Sequence, residues 1–179
     1  QLVRSGWFKA VHVKSRPSQE LRTLLTAREF YVNKLRDHEN EIRGLLRPFG
    51  LKVGKVGTRN FELVAGDPLL ELSIHTLLTG RAAMKKALAD LHRALLRLTE
   101  NDELCRRFMT IPGVGPVTAL AFKATIDDPA RFRRSNDVGA HLGLTPRQYQ
   151  SGETDVRGRI SRSGDAFTRT ALFTAAHVM

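Results

Sequence analysis

The feature that most constrains this chain is an apolar repeat at helical spacing that runs from Leu21 to Leu45. Leu21, Leu24, Leu25, Tyr31, Leu35, Ile42 and Leu45 fall on one side of a helix of 3.6 residues per turn. Ser15 and Pro17 supply a start signal, a polar cap region and a proline in the first turn, with Glu20 close behind. Pro48 and Gly50 stop the run. The spacing predicts a helix of about 30 residues, well beyond the globular mean of about 12.

A second helical stretch starts near Asp67-Pro68. Its clearest part is Met84, Leu88, Leu91, Leu95 and Leu98, a heptad seam. Residues 50–60 are basic and punctuated by glycine but lack the spacing of a phosphate-binding loop, so they read as a connector. Two long helices and a linker predict an antiparallel helical hairpin or a coiled coil with another subunit; an ordinary bundle is the alternative. Ahead of them, residues 7–13 alternate loosely and end in β-branched residues, as a short strand would.

Composition narrows the partner class. Net charge is +11 with a pI near 10.6, which favours polyanions because each phosphate neutralised by Lys or Arg releases counterions. The surplus lies mostly before residue 60, whereas from residue 101 onward there are 11 Lys/Arg against 8 Asp/Glu. No apolar run approaches the roughly 20 residues that span a bilayer, and no signal-peptide pattern opens the chain. Cys105 is the only cysteine, so an internal disulfide and thiolate metal clusters are excluded. The six histidines are dispersed without ligand spacing. The chain reads as cytosolic, and its ends, Gln1 and Met179, read as cuts from a longer protein.

Residues 109–122 carry the most specific local pattern, a Pro-Gly-Val-Gly-Pro turn between the end of one helix and an Ala-rich apolar helix starting at Pro116. This is the form of a helix-hairpin-helix. Gly113 and Gly115, around Val114, permit close approaches that a Cβ would block, and the next helix can offer free N–H groups to a phosphate. A tight corner with no ligand is the alternative. Asp127 and Asp128 resemble a metal pair but more simply close that helix and open a turn at Pro129. Arg131, Arg133 and Arg134 cluster around Phe132 as candidate phosphate ligands. Ser135-Asn136-Asp137 would cap a short helix, Val138–Leu142. Together these elements predict a mainly α fold. It is a long helical hairpin or coiled coil, then a small helical domain with a helix-hairpin-helix and a short β-hairpin or loop.

Five ordered pieces then converge: Ile111-Pro-Gly-Val-Gly-Pro, Leu142-Gly-Leu-Thr-Pro-Arg-Gln, Ser151-Gly, Gly158-Arg-Ile-Ser, and Gly164-Asp with a closing helix. This array resembles the C-terminal transposase domain of the IS-one-ten family of insertion sequences, which includes the Piv/MooV-type DNA invertases. Gly6-Trp-Phe-Lys-Ala-Val-His-Val resembles the end of that family's RuvC-like domain, and the long helices its coiled-coil insertion. The resemblance divides the chain into residues 1–15, the tail of a RuvC-like domain, residues 16–100, the coiled-coil region, and residues 101–179, the transposase domain.

The resemblance implies a bacterial, nucleoid-associated recombinase that moves or inverts DNA, some members being guided by a bridge RNA. It implies a composite active site, with acidic residues and a divalent metal, magnesium, in the RuvC-like domain and a serine nucleophile in the transposase domain. By position in the motif that serine is Ser151; Gln150 stands where the family often has another serine. Gly152 would leave room for a phosphodiester, and Arg147, Arg157, Arg159 and Arg162 would stabilise the charge that develops on it. Ser161 and Ser163 fit helix capping better. The RuvC-like acidic residues are not in this sequence; Glu29, Asp37, Glu39 and Glu41 read as salt-bridge partners on the first long helix. The chain alone is therefore expected to hold no cofactor, to bind nucleic acid without cleaving it, and to assemble with copies of itself through the long helices. A site-specific DNA invertase and a non-catalytic helix-hairpin-helix adaptor are the competing readings.

Overall fold

The computed structural model describes Arg4, Gly6, residues 11–57 and residues 62–178. The strand expected over residues 7–13 lies largely outside them, and residues 11–13 carry no regular secondary structure. The fold is mainly helical: α1 (Arg16–Leu46), α2 (Pro68–Glu100), α3 (Glu103–Phe108), α4 (Pro116–Ile126), α5 (Ser135–His141) and α6 (Ala166–Ala176), with one antiparallel pair, β1 (Pro146–Ser151) and β2 (Thr154–Ile160). There are two compact units, residues 24–103 and residues 1–23 with 104–179, so the first turns of α1 belong to the second. No helix among the described residues is long and apolar enough to cross a membrane.

In the long-helix unit both ends of the connector follow their start and stop signals. Pro48 tightens the chain into a 3-10 turn, and Gly50, at φ 72°, donates its N–H to the Arg47 carbonyl. The Asp67 carboxylate accepts the Leu70 N–H at 3.1 Å, with Pro68 as the first residue of α2. α1 and α2 meet side by side: His38 Nε2–H donates to the Leu77 carbonyl at 2.7 Å, and Arg81 pairs with Glu39 at 2.6 Å. Ile42, Leu46, Val56, Val64 and Ile74 form the core there, with Leu51 and Val53 packed against it. The connector is thus also a contributor of apolar side chains.

The α2 seam keeps its expected face except at its end. Leu95 is fully buried, but Leu98 is 44% exposed and Thr99, at 1%, takes the inward position. A straight helix of 3.6 residues per turn drifts off a strict seven-residue repeat, which moves the inward position from i+3 to i+4 here. The buried Thr99 hydroxyl donates to the Leu96 carbonyl at 2.7 Å.

In the other unit α4 has no polar face and is buried along most of its length. It packs on α6, where the Thr168 hydroxyl donates to the Ala121 carbonyl at 3.2 Å and meets the Thr125 hydroxyl at 2.7 Å. Asp165 caps α6 by accepting the Thr168 N–H at 2.8 Å. This corrects the capping assigned to Ser161 and Ser163, whose hydroxyls bond each other at 3.0 Å one turn upstream. A carboxylate at that position competes better than a hydroxyl for the N–H groups at the positive helix end. α5 likewise starts at Ser135, with the Asp137 carboxylate taking the Arg134 N–H at 3.1 Å.

The β-hairpin pairs Gln148 with Arg157, Tyr149 with Val156, Gln150 with Asp155 and Ser151 with Thr154, with a bulge beside Arg147. Gly152, at φ 57°, opens its two-residue turn. All six residues of β1 are exposed. An isolated two-stranded hairpin is marginal in water, so its base matters. There Ser161 N–H donates to Thr145 O at 2.8 Å and Arg162 N–H to Gly143 O at 3.0 Å. The two segments cross backbone on backbone. A Cβ on Gly143 would stand 2.6 Å from Ser163 N, and one on Gly164 would collide with the His141 carbonyl.

Leu95→Ala is expected to cost about 2–5 kcal/mol in denaturant unfolding, the range for emptying a buried leucine site. Leu98→Ala should change stability by less than about 1 kcal/mol; a large loss there would put Leu98 in a seam between subunits.

Candidate functional site

The hairpin turn between α3 and α4 places its two glycines differently. Gly113, at φ 79°, lies so close to α6 that a Cβ would collide with the Ala175 carbonyl oxygen. The close approach that the sequence suggested is therefore made to protein. Gly115 precedes α4 in extended geometry with open space where a Cβ would stand. Val114, between them, is half-buried and donates its N–H to Ile111 O at 3.1 Å.

The arginine cluster after α4 also divides. Arg131 turns inward: its Nη2 donates to His141 Nε2 at 2.9 Å, and its guanidinium lies 4.4 Å from the centre of the Phe132 ring. Burial, then the positive charges of Arg131 and Lys14, lower the His141 pKa, in keeping with a neutral ring that accepts at Nε2. Arg133 and Arg134 are exposed.

Ser151 stands at the tip of the hairpin, exposed, and its hydroxyl makes no hydrogen bond among the described residues. Beside it, nothing lies within 4 Å of where a Cβ on Gly152 would be. Strand alternation puts Tyr149, Ser151 and Val156 on one face, and Gln148, Gln150, Asp155 and Arg157 on the other. Arg157 sits three register pairs from Ser151, about 10 Å at 3.4 Å per residue. Arg147 bonds the Ser161 carbonyl at 3.2 Å at the hairpin base, and Arg159 and Arg162 are exposed toward the same end. These four arginines do not ring Ser151.

Sequence reasoning missed a polar hub behind these elements. Asp127 follows α4 at φ 62°. Its carboxylate accepts the Ser15 N–H at 2.8 Å and the hydroxyls of Ser15 at 2.5 Å and Ser18 at 2.6 Å, and lies 2.8 Å from His12 Nε2. Those serine bonds hold the carboxyl far below the usual carboxylate range. Lys14 Nζ donates to the carbonyls of Ala124 at 3.0 Å and Thr125 at 2.9 Å, closing the C-terminal end of α4. Burial, then the charge of Arg22, lower its pKa. Arg22 in turn pairs with Asp165 at 2.6 Å. Burial raises the Asp165 pKa, but the bonds from Thr168 and Arg22 more than offset that and leave it below its ordinary value. The one sequence signal here is Ser15, which marks a helix start; its hydroxyl does accept the Ser18 N–H, at 3.4 Å, while it donates to Asp127. Among the described residues no group of three or more His, Cys, Asp or Glu side chains could hold a metal ion.

The corner between α3 and α4, the ribbon and the exposed serine at its tip all lie in a segment that is similar to known proteins. The family model described as Transposase IS116/IS110/IS902 family matches residues 105–179. The transposase for insertion sequence element IS1111A of Coxiella burnetii is 32% identical over 181 residues, covering 96% of this chain and 50% of that protein. A probable family 20 transposase of Pseudomonas aeruginosa is 31% identical over 183 residues, covering 96% of this chain and 54% of that protein. The pilin gene-inverting protein of Moraxella lacunata is 34% identical over 71 residues, covering 39% of this chain and 22% of that protein. The chain belongs to the IS116/IS110/IS902 family of insertion-sequence transposases. It spans about half the length of the curated relatives that it matches end to end.

Two substitutions separate packing from ligand binding in the corner. Gly113→Ala should lower the melting temperature by several degrees through its collision with Ala175, whereas Gly115→Ala should leave it nearly unchanged. Asp127→Asn keeps a side chain tolerant of positive φ but removes the charge, and should cost about 1–2 kcal/mol at neutral pH. Because the folded pKa of Asp127 is depressed, its contribution is complete above the unfolded value of about 4 and fades as pH falls below it. Unfolding curves of the two proteins should therefore converge on acidification; a constant gap would place the effect in the backbone.

Proposed function

We propose that this chain is the part of a DNA transposase or recombinase that grips nucleic acid and supplies Ser151 as the nucleophile of a composite active site, completed by an upstream RuvC-like domain. The placement of Ser151 carries the reading. It lies at the tip of a ribbon that exposes β1 on both sides, on an open turn, within the segment that the family model covers. A serine hydroxyl with no base beside it is a weak nucleophile, and no described side chain bonds this one. Activation therefore falls to a group outside this chain. In the step proposed, Ser151 Oγ bonds to phosphorus, the bond from phosphorus to a sugar oxygen breaks, and the serine proton passes to that outside base. The sugar oxygen leaves with a proton. The divalent ion implied for the RuvC-like domain has no ligand set among the described residues, and no step in this chain is assigned to it.

DNA is the partner under this reading, with a bridge RNA as a second nucleic acid and further copies of the chain joined through the long helices. Arg133 and Arg134, with the hairpin arginines, are the exposed cations suited to phosphate. The likeness of the C-terminal segment to a pilin gene-inverting protein favours inversion as the second reading. Full-length protein given a plasmid with two inverted sites would separate them: flipping of the intervening segment marks an invertase, and joining of an excised element to new DNA a transposase.

Covalent capture tests the nucleophile. Full-length protein should form a protein–DNA adduct on the ends of its element, and Ser151→Ala should abolish it; an adduct that persists discards the assignment. Replacing Arg133 and Arg134 together by Gln should weaken DNA binding and flatten its logarithmic salt slope by up to about 2, since each phosphate no longer neutralised removes about 0.9 from the slope. An unchanged slope would place both side chains away from the backbone.

A further inference from the structure

We infer that Tyr149 is a stacking platform for an unpaired DNA base close to the phosphate that Ser151 engages, an inference that rests on the nucleophile reading above. Tyr149 and Ser151 are two residues apart on β1 and share one face of the ribbon. Tyr149 is 58% exposed, and Val156, directly opposite on β2, is 53% exposed. A large aromatic and a β-branched residue paired across strands ordinarily cover a core; here the ribbon covers nothing, and they face outward.

The ring is nevertheless held. Its Cε2 lies 3.1 Å from where a Cβ on Gly158 would stand, so the tyrosine rests over the bare α-carbon of the glycine. The ring touches the strand at Cε2 while more than half of the residue stays exposed. A preset aromatic surface loses little freedom when a base lies on it. The charge around it selects the occupant. Residues 146–162 hold Arg147, Arg157, Arg159 and Arg162 against Glu153 and Asp155, so a polyanion is drawn to the ribbon while its apolar strip takes a flat, uncharged surface. A nucleic-acid strand offers both. The spacing also agrees: two residues of extended strand span about 7 Å, and neighbouring nucleotides of one DNA strand advance about 3.4 Å along the axis of a duplex and further when unstacked. Tyr149 therefore meets a base within about two nucleotides of the phosphate at Ser151.

The test uses this chain and a short single-stranded DNA carrying 2-aminopurine, whose fluorescence falls when it stacks. Binding should quench the probe. Tyr149→Phe, which keeps the ring, should retain the quenching. Tyr149→Leu should abolish it and weaken binding roughly 10-fold, equivalent to about 1.4 kcal/mol, while leaving the salt slope unchanged because every arginine remains. Circular dichroism of the Leu variant checks that the fold is kept, as expected for an exposed position. Undiminished quenching and affinity in the Leu variant would overturn the inference, as would tighter binding and stronger quenching with RNA of the same sequence. Ser151→Ala, scored in the same assay and for adduct in the full-length protein, keeps the two readings apart. An adduct that survives it with quenching still dependent on Tyr149 sinks the nucleophile alone. Quenching indifferent to Tyr149 with the adduct abolished sinks the platform alone.

Discussion

A helix with no polar face has to be buried, and a buried helix has to find partners for the backbone groups at its ends. α4 sets this problem for the C-terminal unit, and the unit is arranged around its solution. At the C-terminal end Lys14 reaches the carbonyls of Ala124 and Thr125, drawing the segment before α1 against the helix. Asp127 then reverses the chain at positive φ and fastens that same segment through Ser15 and Ser18. At the other end Gly113 lets the corner close onto the Ala175 carbonyl of α6. The same constraint explains a hairpin glycine that the sequence offered to a phosphate and a carboxylate that it placed at the close of the helix: both belong to the burial of α4.

Rigidity at the core leaves the ribbon as the free element. The crossing of Gly143 and Gly164 holds its base by close main-chain packing, where a side chain on either residue would force the strands apart. Beyond that crossing the hairpin gains almost nothing from burial in this chain, since β1 is exposed throughout. Under the proposed function its composition answers to a nucleic acid rather than to a core. Tyr149, Val156 and Ser151 on one face and the arginines toward the base make sense against a strand that carries flat bases and regularly spaced charge.

The parts of this fold that were legible are those with a local signal. The period of Leu21 to Leu45, the Pro48-Gly50 stop and the Asp67-Pro68 start are patterns within a few turns of chain, and the helices fall where they predict. The seam of α2 was legible until Leu98, where a seven-residue template and a straight helix part company. The glycines of the five-piece array could be recognised as a set, but not the reason that Gly143 needs Gly164. Nor could the hub be foreseen: Lys14 lies 110 residues from Ala124, and Ser15 lies 112 from Asp127. No period or spacing encodes a hydrogen bond across that distance. Ser151 was legible only through resemblance, because Ser-Gly in a turn is common; its position at an open tip became visible with the hairpin register.

The hub also changes what the net charge means. The side chains of Asp127 and Asp165 are 7% and 14% exposed, and each is matched within the unit, by His12 and the serines or by Arg22. Lys14 and Arg22 balance the two carboxylates, so the interior set is close to neutral and little of its field reaches solvent. Arg133, Arg134, Arg147, Arg157, Arg159 and Arg162 remain exposed. Two of the eight acids are neutralised inside, and two of the eleven bases, Arg131 and Arg169, also turn inward, so the surplus that a polyanion meets rests on the side chains that stay exposed. Formal charge counts every group alike, whereas a strand of DNA responds to those within a Debye length of about 8 Å. The exposed cations of residues 101–179 thus include the arginines of the ribbon and the pair that precedes α5.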